Sequence, residues 1–344
     1  MVNKNTAIIY AALAASIYGG YRLVERARRR FDFQGKTVLI TGGSRGLGLV
    51  MARQLVDEGA RVAICSRHGD EVTRAVNELK GLGGIALGVE CDVAEPREFD
   101  AFVALVEQEL GPIDVLINNA GVIQVGPADE MTTEDYQRAM DVHFAAPLHA
   151  MQRLSPAMRR RGTGRIVNIA SIGGQFSAPH LLPYCASKFA LVGLSQGMRA
   201  ELARDGVYVT TVCPGLMRTG SHRHALFKGR HRQEYAWFSL SASAPLLSMG
   251  AERAAGHILN AARYGRAQIT LSVPAKLAAT ANALAPELVA DLACLATSLL
   301  PQPGGIGQQA VEGEQSTSAW SPSFALLLGE RAAIRNNEIS PHIT

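Results

Sequence analysis

Tyr184 precedes Lys188 by four residues in the stretch PYCASKFA (183–190). On a helix that spacing stacks a phenol one turn from an ammonium, as it does for any i, i+4 pair. Such a pair can pass a proton, and it can equally be two amphipathic side chains on an ordinary helix face. A second group of residues narrows the choice. TGGSRGLG (41–48) lies between the apolar run KTVLIT (36–41) and the helical stretch GLVMARQLVDEG. In that setting Gly42, Gly46 and Gly48 allow a tight turn, close approach of backbone to a pyrophosphate, and close helix packing. Ser44, Arg45 and Leu47 fill the loop between them, and the free N–H groups of the helix start make an anion site. The reading is a dinucleotide cradle.

The residues after the second strand bear on which dinucleotide. An acidic side chain there binds the ribose hydroxyls of NAD, whereas cations accept the 2′-phosphate of NADP. The chain has CSRHGD (65–70), with Ser66 and Arg67 at the strand end and Asp70 too far along to serve. Arg45 and Arg67 suit bidentate phosphate recognition, so NADP (NADPH) is expected in preference to NAD.

These features need elements to position them. KTVLIT (36–41), RVAICS (61–66), IALGVECD (85–92), IDVLINN (113–119), GRIVNIAS (164–171), VYVTTVCP (207–214) and QITLSV (268–273) read as strands separated by helical stretches. That alternation predicts an α/β fold: a doubly wound parallel sheet of about seven strands with helices on both faces. Ligands of such sheets bind at the carboxyl ends of the strands, where the strand order reverses.

Composition bounds the partners. The 344 residues are 47% hydrophobic with 34 glycines, which suits a globular α/β chain. A net charge of +4, with no basic face or groove-reading motif, gives no nucleic-acid signal. Cys65, Cys91, Cys185, Cys213 and Cys294 occur singly, without metal spacing, as in a reducing compartment; no metal is expected. TAIIYAALAASIYGGY (6–21) is an uncharged apolar run followed by Arg22, Arg26, Arg28, Arg29 and Arg30. A span takes about 20 residues, which the run approaches when Leu23 and Val24 are added. Residues 6–24 are therefore expected to be a membrane anchor within an N-terminal unit 1–30, with the catalytic domain 31–274 on the cytoplasmic side. A surface-lying helix is the alternative; a cleaved signal peptide would carry its charge ahead of the run. Residues 275–300 form an Ala/Leu-rich helical extension interrupted by Pro286, readable as a buried helix, a dimer surface or a membrane-contacting hairpin. Residues 301–344 have the composition of a flexible tail.

The glycine spacing, NNAG at 118–121, Ser171, YCASK at 184–188 and PGLMRT at 214–219 occur in one order. Together they resemble the short-chain dehydrogenase/reductase superfamily, in its single-domain ketoreductase-like branch, over about residues 34–273. The resemblance implies a Rossmann-like fold and a dimeric or tetrameric assembly. It implies that Asn118, Asn119, Ala120 and Gly121 support the central strand and line the adenosine-ribose side. Asp92 and Val93 would flank the adenine, and Pro214, Gly215 and Thr219 would reach the nicotinamide end. Tyr184 would be the general acid/base, Lys188 its electrostatic partner and Ser171 the hydroxyl that orients the substrate. A phenol with an ordinary pKa near 10 is a poor base, and a neighbouring ammonium lowers that value. The family carries an asparagine on the helix after NNAG, where it holds a water for the lysine's proton relay. Here MDVHFAAP (140–147) puts His143 in that place. An imidazole there could serve the relay and alter the pH profile, or could simply pack.

The segment SHRHALFKGRHRQEYAWFSLSASAPLL (221–247), after the PG turn, is basic and then aromatic. It reads as a lid in which Phe227, Trp237 and Phe238 close over an apolar substrate, or as a solvated loop. Arg223, Lys228, Arg230 and Arg232 could meet an acidic substrate group or an anionic lipid surface. The expected function is an NADP-dependent oxidoreductase for a lipophilic carbonyl or alcohol, steroid-, retinoid- or long-acyl-like. An NADP-binding sensor or scaffold without turnover, and an epimerase- or dehydratase-like enzyme, are the competing readings.

Overall fold

The computed structural model describes residues 13, 16, 19, 20 and 24–339, apart from 246, 320 and 322. Most of the expected anchor at 6–24, all but residues 13, 16, 19, 20 and 24, lies outside the described residues. Among those described, no helix is long and apolar enough to cross a membrane.

Seven parallel strands form the central sheet: β1 (Thr37–Thr41), β2 (Arg61–Ser66), β3 (Ile85–Glu90), β4 (Ile113–Asn118), β5 (Gly164–Ile169), β6 (Val207–Pro214) and β7 (Gln268–Leu271). Their order is β7-β6-β5-β4-β1-β2-β3, so the winding reverses between β1 and β4. Every strand lies where the sequence alternation predicts. A parallel strand covered on both faces reads as an unbroken apolar run, and β1 shows why. Val38 and Ile40 point into one core with Leu49, Leu55 and Ile258, while Leu39 points into the other with Phe99, Phe102 and Met151.

Those cores are closed by helices on the two faces. α1 (Gly46–Asp57) and α8 (Ala251–Arg263) contribute to the first. α3 (Pro96–Leu110) and α5 (Ala146–Arg161) contribute to the second. The remaining helices of this part are α2 (Gly69–Gly81), α4 (Thr133–Met140), α6 (Leu182–Leu202) and α7 (His231–Ser243). A π-helical turn, Asp141–Ala145, joins α4 to α5.

The extension at 275–300 is a pair of helices, α9 (Val273–Leu284) and α10 (Pro286–Leu299), divided where Pro286 takes the first position of the second helix. α10 has no buried residue, which excludes the buried-helix reading. Leu284, Leu292 and Leu299 are among the leucines left exposed on the pair.

Two expectations need correcting. The stretch read as a flexible tail carries a two-residue strand, Val311–Glu312, and α11 (Ser323–Arg335). The strand pairs with Leu226–Phe227, which pairs in turn with Gln124–Val125. Its glycines look like linker composition, but Gly313 is a close-approach position: a Cβ there would lie 2.1 Å from the His222 carbonyl oxygen. The aromatic residues read as a closing lid are also fixed. Phe227 and Phe238 join Tyr235, Val125 and Leu326 in a small core, with Trp237 packed against it and donating to Glu234. Arg223 pairs with Glu314 and Glu330, and Lys228 with Asp135; Arg230 and Arg232 are exposed.

The packing of α1 on the strand ends generates a first prediction. A Cβ at Gly48 would sit 2.2 Å from the Gly42 carbonyl oxygen and 2.7 Å from the Asn119 amide nitrogen. Gly48→Ala is expected to destabilise the fold by about 1–3 kcal/mol, the cost of overpacking a tight contact. Thermal unfolding measures it, and an unchanged midpoint would show that the helix can shift freely.

Candidate active site

Residues directly after β1 to β6 line one cleft of about 550 Å³, at the carboxyl ends of the strands. Ser171, Tyr184, Lys188 and His143 line it together with Gly42, Ser44, Arg45, Gly46 and Leu47. Arg67, Asp92, Val93, Asn119, Ala120, Gly121, Pro214, Gly215 and Thr219 also line it. Gly48 and Asn118 do not. Gly48 is a packing glycine, and Asn118 points across the sheet to donate to the Asn168 side-chain oxygen at 2.7 Å. Asn168 in turn donates to Ser195 at 2.8 Å, which ties β4 and β5 to α6.

α6 starts at Leu182 with Pro183 in its first turn, so Tyr184 and Lys188 both sit at the helix end nearest the cleft. Lys188 is buried, and its ammonium donates to the Ile169 carbonyl at 2.9 Å while lying 5.6 Å from the Tyr184 ring centre. Burial pulls the Lys188 pKa down to about 7. Tyr184 is half-buried, and desolvation pushes its phenol up to about 12, against an opposing hydrogen bond from Ser171. Between these side chains alone, burial outweighs the lowering that a nearby ammonium was expected to give. Ser171 lies two residues past β5 and accepts from the Gly173 N–H at 3.0 Å.

His143 is fully buried on the π-helical turn, a form often found at functional sites. Its Nε2 accepts from the Val122 N–H at 3.1 Å, and its Nδ1 lies 2.8 Å from the Ser187 hydroxyl. Ser187 gives its own proton to the Tyr184 carbonyl at 2.8 Å, so Nδ1 is the donor and the ring is neutral. Burial, with Lys188 nearby, holds the His143 pKa well below the ordinary histidine value. Both ring nitrogens are thus committed to holding α6 and the chain after β4. This departs from a ring that titrates near neutral pH.

At the glycine loop, Gly42 and Gly46 have φ of +63° and +56°, where glycine carries no Cβ penalty. A Cβ on Gly42 would lie 2.9 Å from Ala120 Cα, and Asn119 donates to the Thr41 and Gly42 carbonyls. The NNAG stretch therefore braces the loop. Arg45, the residue before α1, gives that helix no side-chain cap, which leaves N–H donors fit for an anion's oxygens. Arg45 itself pairs with Glu71 at 2.6 Å, and Glu71 also accepts from Ser44 at 3.1 Å. Glu338 reaches the same loop from the end of the chain, and burial pushes its carboxyl up to about 7 against the attraction of Arg45. Arg67 is exposed at the rim.

Sequence reasoning missed Ser187, Asn168, Glu71 and Glu338. Ser187 was within reach, since it stands inside YCASK one residue before the lysine. The other three acquire roles only through tertiary contact.

Residues 36–227 match the model of the short chain dehydrogenase family. The ketoacyl reductase HetN of Nostoc sp. is 40% identical over 53% of this chain and 63% of its own length. Galactitol 2-dehydrogenase of Agrobacterium fabrum is 35% identical over 54% of this chain and 72% of its own. A short-chain dehydrogenase structure from Streptomyces avermitilis superposes with a TM-score of 0.66 at 28% identity, covering 77% of this chain and 97% of that one. The matched stretch holds the glycine loop, NNAG, Ser171 and the Tyr184–Lys188 turn; the chain belongs to the short-chain dehydrogenase/reductase family of NAD(P)-binding oxidoreductases, which act on keto and hydroxyl groups.

Proposed function

We propose that the protein is an NADP-dependent oxidoreductase for a lipophilic carbonyl or secondary alcohol, with Tyr184 as the general acid/base. The observation that carries this reading is the convergence of Ser171, Tyr184 and Lys188 on the cleft that the glycine loop also lines. The nicotinamide supplies or takes up the hydride when bound. In the reductive direction Tyr184 gives its proton to the carbonyl oxygen as that oxygen gains charge, while Ser171 holds the same oxygen. Lys188 supplies positive charge behind the phenol, and the Ile169 carbonyl fixes its position. His143 is a positioning residue that locks the first turn of α6 through Ser187.

NADP is favoured because β2 ends in Ser66 and is followed by Arg67, exposed at the rim where it can meet a 2′-phosphate. Arg45 can join it only by exchanging its carboxylate partners. Val122, Ile123, Val142, Met217 and Leu226 add apolar surface to the cleft, and the ketoacyl reductase relative points towards an acyl-like substrate. The apolar run 6–21 and the arginines behind it support membrane association with the catalytic domain in the cytoplasm. That part rests on the sequence.

Oxidation of NADPH and of NADH should be followed side by side, with medium-chain β-ketoacyl thioesters and with polyols and their ketoses. Preferential oxidation of NADPH with the thioesters is expected, and Arg67→Ala should narrow the NADPH preference by about tenfold, as for loss of one good ionic contact. A native preference for NADH would overturn the cofactor reading. Turnover confined to polyols and ketoses would overturn the lipophilic one.

Two substitutions separate proton transfer from positioning. Tyr184→Phe is expected to lower turnover by about 10²–10⁴-fold, the usual contribution of general acid–base catalysis, with dinucleotide affinity retained. The His143 ring is already neutral throughout the working range, so protonation reaches it only in more acidic solution. The pH–rate profiles of the native enzyme and His143→Asn should therefore coincide in shape from about pH 6 to 9, whatever their heights. A limb lost from the His143→Asn profile in that range would make the imidazole a titrating group.

A further inference from the structure

The end of α11 makes a turn that aims one side chain into the cofactor cleft. Asn337 is left-handed, with φ of +59°, and the Glu338 N–H donates to the Ala333 carbonyl at 2.9 Å. This is a Schellman-type helix end with asparagine in the usual glycine place. The turn is then stitched to the glycine loop. The Gly46 N–H, first in α1, donates to the Asn336 carbonyl at 2.9 Å. The Asn337 amide donates to the Ser44 carbonyl at 2.8 Å and the Glu71 carbonyl at 3.2 Å, and its oxygen accepts from Arg74 at 3.0 Å.

Glu338 completes the contact. Its side chain is only 3% exposed, with one carboxylate oxygen against Gly46, where a Cβ would lie 2.7 Å away. The other oxygen lies 3.5 Å from Arg45 and 3.4 Å from His224, buried and without a hydrogen bond. A carboxylate flanked by a helix start, an arginine and a histidine occupies the kind of place that favours phosphate. The carboxyl fills the space a phosphate oxygen would take, and its ionised form also repels a phosphate, because like charges within a few ångströms interact most strongly where water is excluded.

We propose that residues 336–338, carried by α11, are an autoinhibitory strap: Glu338 fills the anion cradle of the glycine loop and must leave it before a dinucleotide phosphate can enter. The strap rests on the reading of that loop as the cofactor cradle. The rest of the cleft, including Ser171, Tyr184 and Lys188, stays formed while the strap is closed. Opening requires loss of the turn's contacts with Ser44, Gly46, Arg45 and Arg74. A strap that is closed about nine-tenths of the time weakens apparent cofactor affinity about tenfold.

The test compares the full-length chain with Glu338→Gln and with a chain ending at Arg335. Equilibrium binding of NADPH and NADH is read by nicotinamide fluorescence, without substrate. Both variants are expected to bind at least one dinucleotide about tenfold more tightly than the native chain. In the native chain, added dinucleotide should speed tryptic cleavage after Arg335 as the strap lifts. Unchanged or weaker binding by the folded Glu338→Gln variant would overturn the strap, as would dinucleotide protection of the Arg335–Asn336 bond. Failure of native chain and both variants to bind either dinucleotide would instead overturn the cradle reading beneath it.

Discussion

An ammonium held out of water at Lys188 is the constraint around which the site is arranged. Burying such a charge is costly, which draws the Lys188 pKa down to about 7, and the Ile169 carbonyl at the end of β5 accepts one of its protons. That contact works only if α6 lies close against the strand end. Gly174 permits the approach, since a Cβ there would lie 2.6 Å from the Lys188 carbonyl oxygen. Asn168–Ser195 fixes the middle of the helix, and His143–Ser187 fixes its first turn. The phenol of Tyr184 is placed by the same pins. Held there at the start of α6, it is half-buried beside Ser171.

The sheet supplies the second half of the arrangement. Reversal of winding between β1 and β4 opens a gap at their carboxyl ends, and the loops that follow those strands meet there. Asn119 bonds the glycine loop after β1 to the loop after β4, so the two loops are tied together. Rigidity of this kind favours catalysis, because orientation is fixed before the reactants arrive.

Much of this was legible in the sequence, for reasons that differ by element. The strands were legible because both faces of β1, β4 and β6 are buried and no polar residue interrupts their apolar runs for long. The glycine loop was legible because its spacing answers local backbone geometry. His143 was legible as a position but not as a state: its neutrality follows from Val122 and Ser187, distant in sequence and chosen by the fold. The segment after Pro301 misled because glycines that serve close approach look, in composition, like glycines that serve flexibility. Phe227, Trp237 and Phe238 misled similarly, since an aromatic cluster beside a cleft has the same composition whether it closes over a ligand or fills a core. Glu338 carried no local signal at all.

The central claim is that desolvation of the half-buried Tyr184, at the foot of α6, governs the proton on its phenol. Nuclear magnetic resonance of ¹³Cζ-labelled tyrosine tests it, with Tyr184→Phe used to assign the signal. In the free protein the Tyr184 phenol should keep its proton up to about pH 12, as burial requires. A Tyr184 phenolate forming near neutral pH in the free protein would contradict the account.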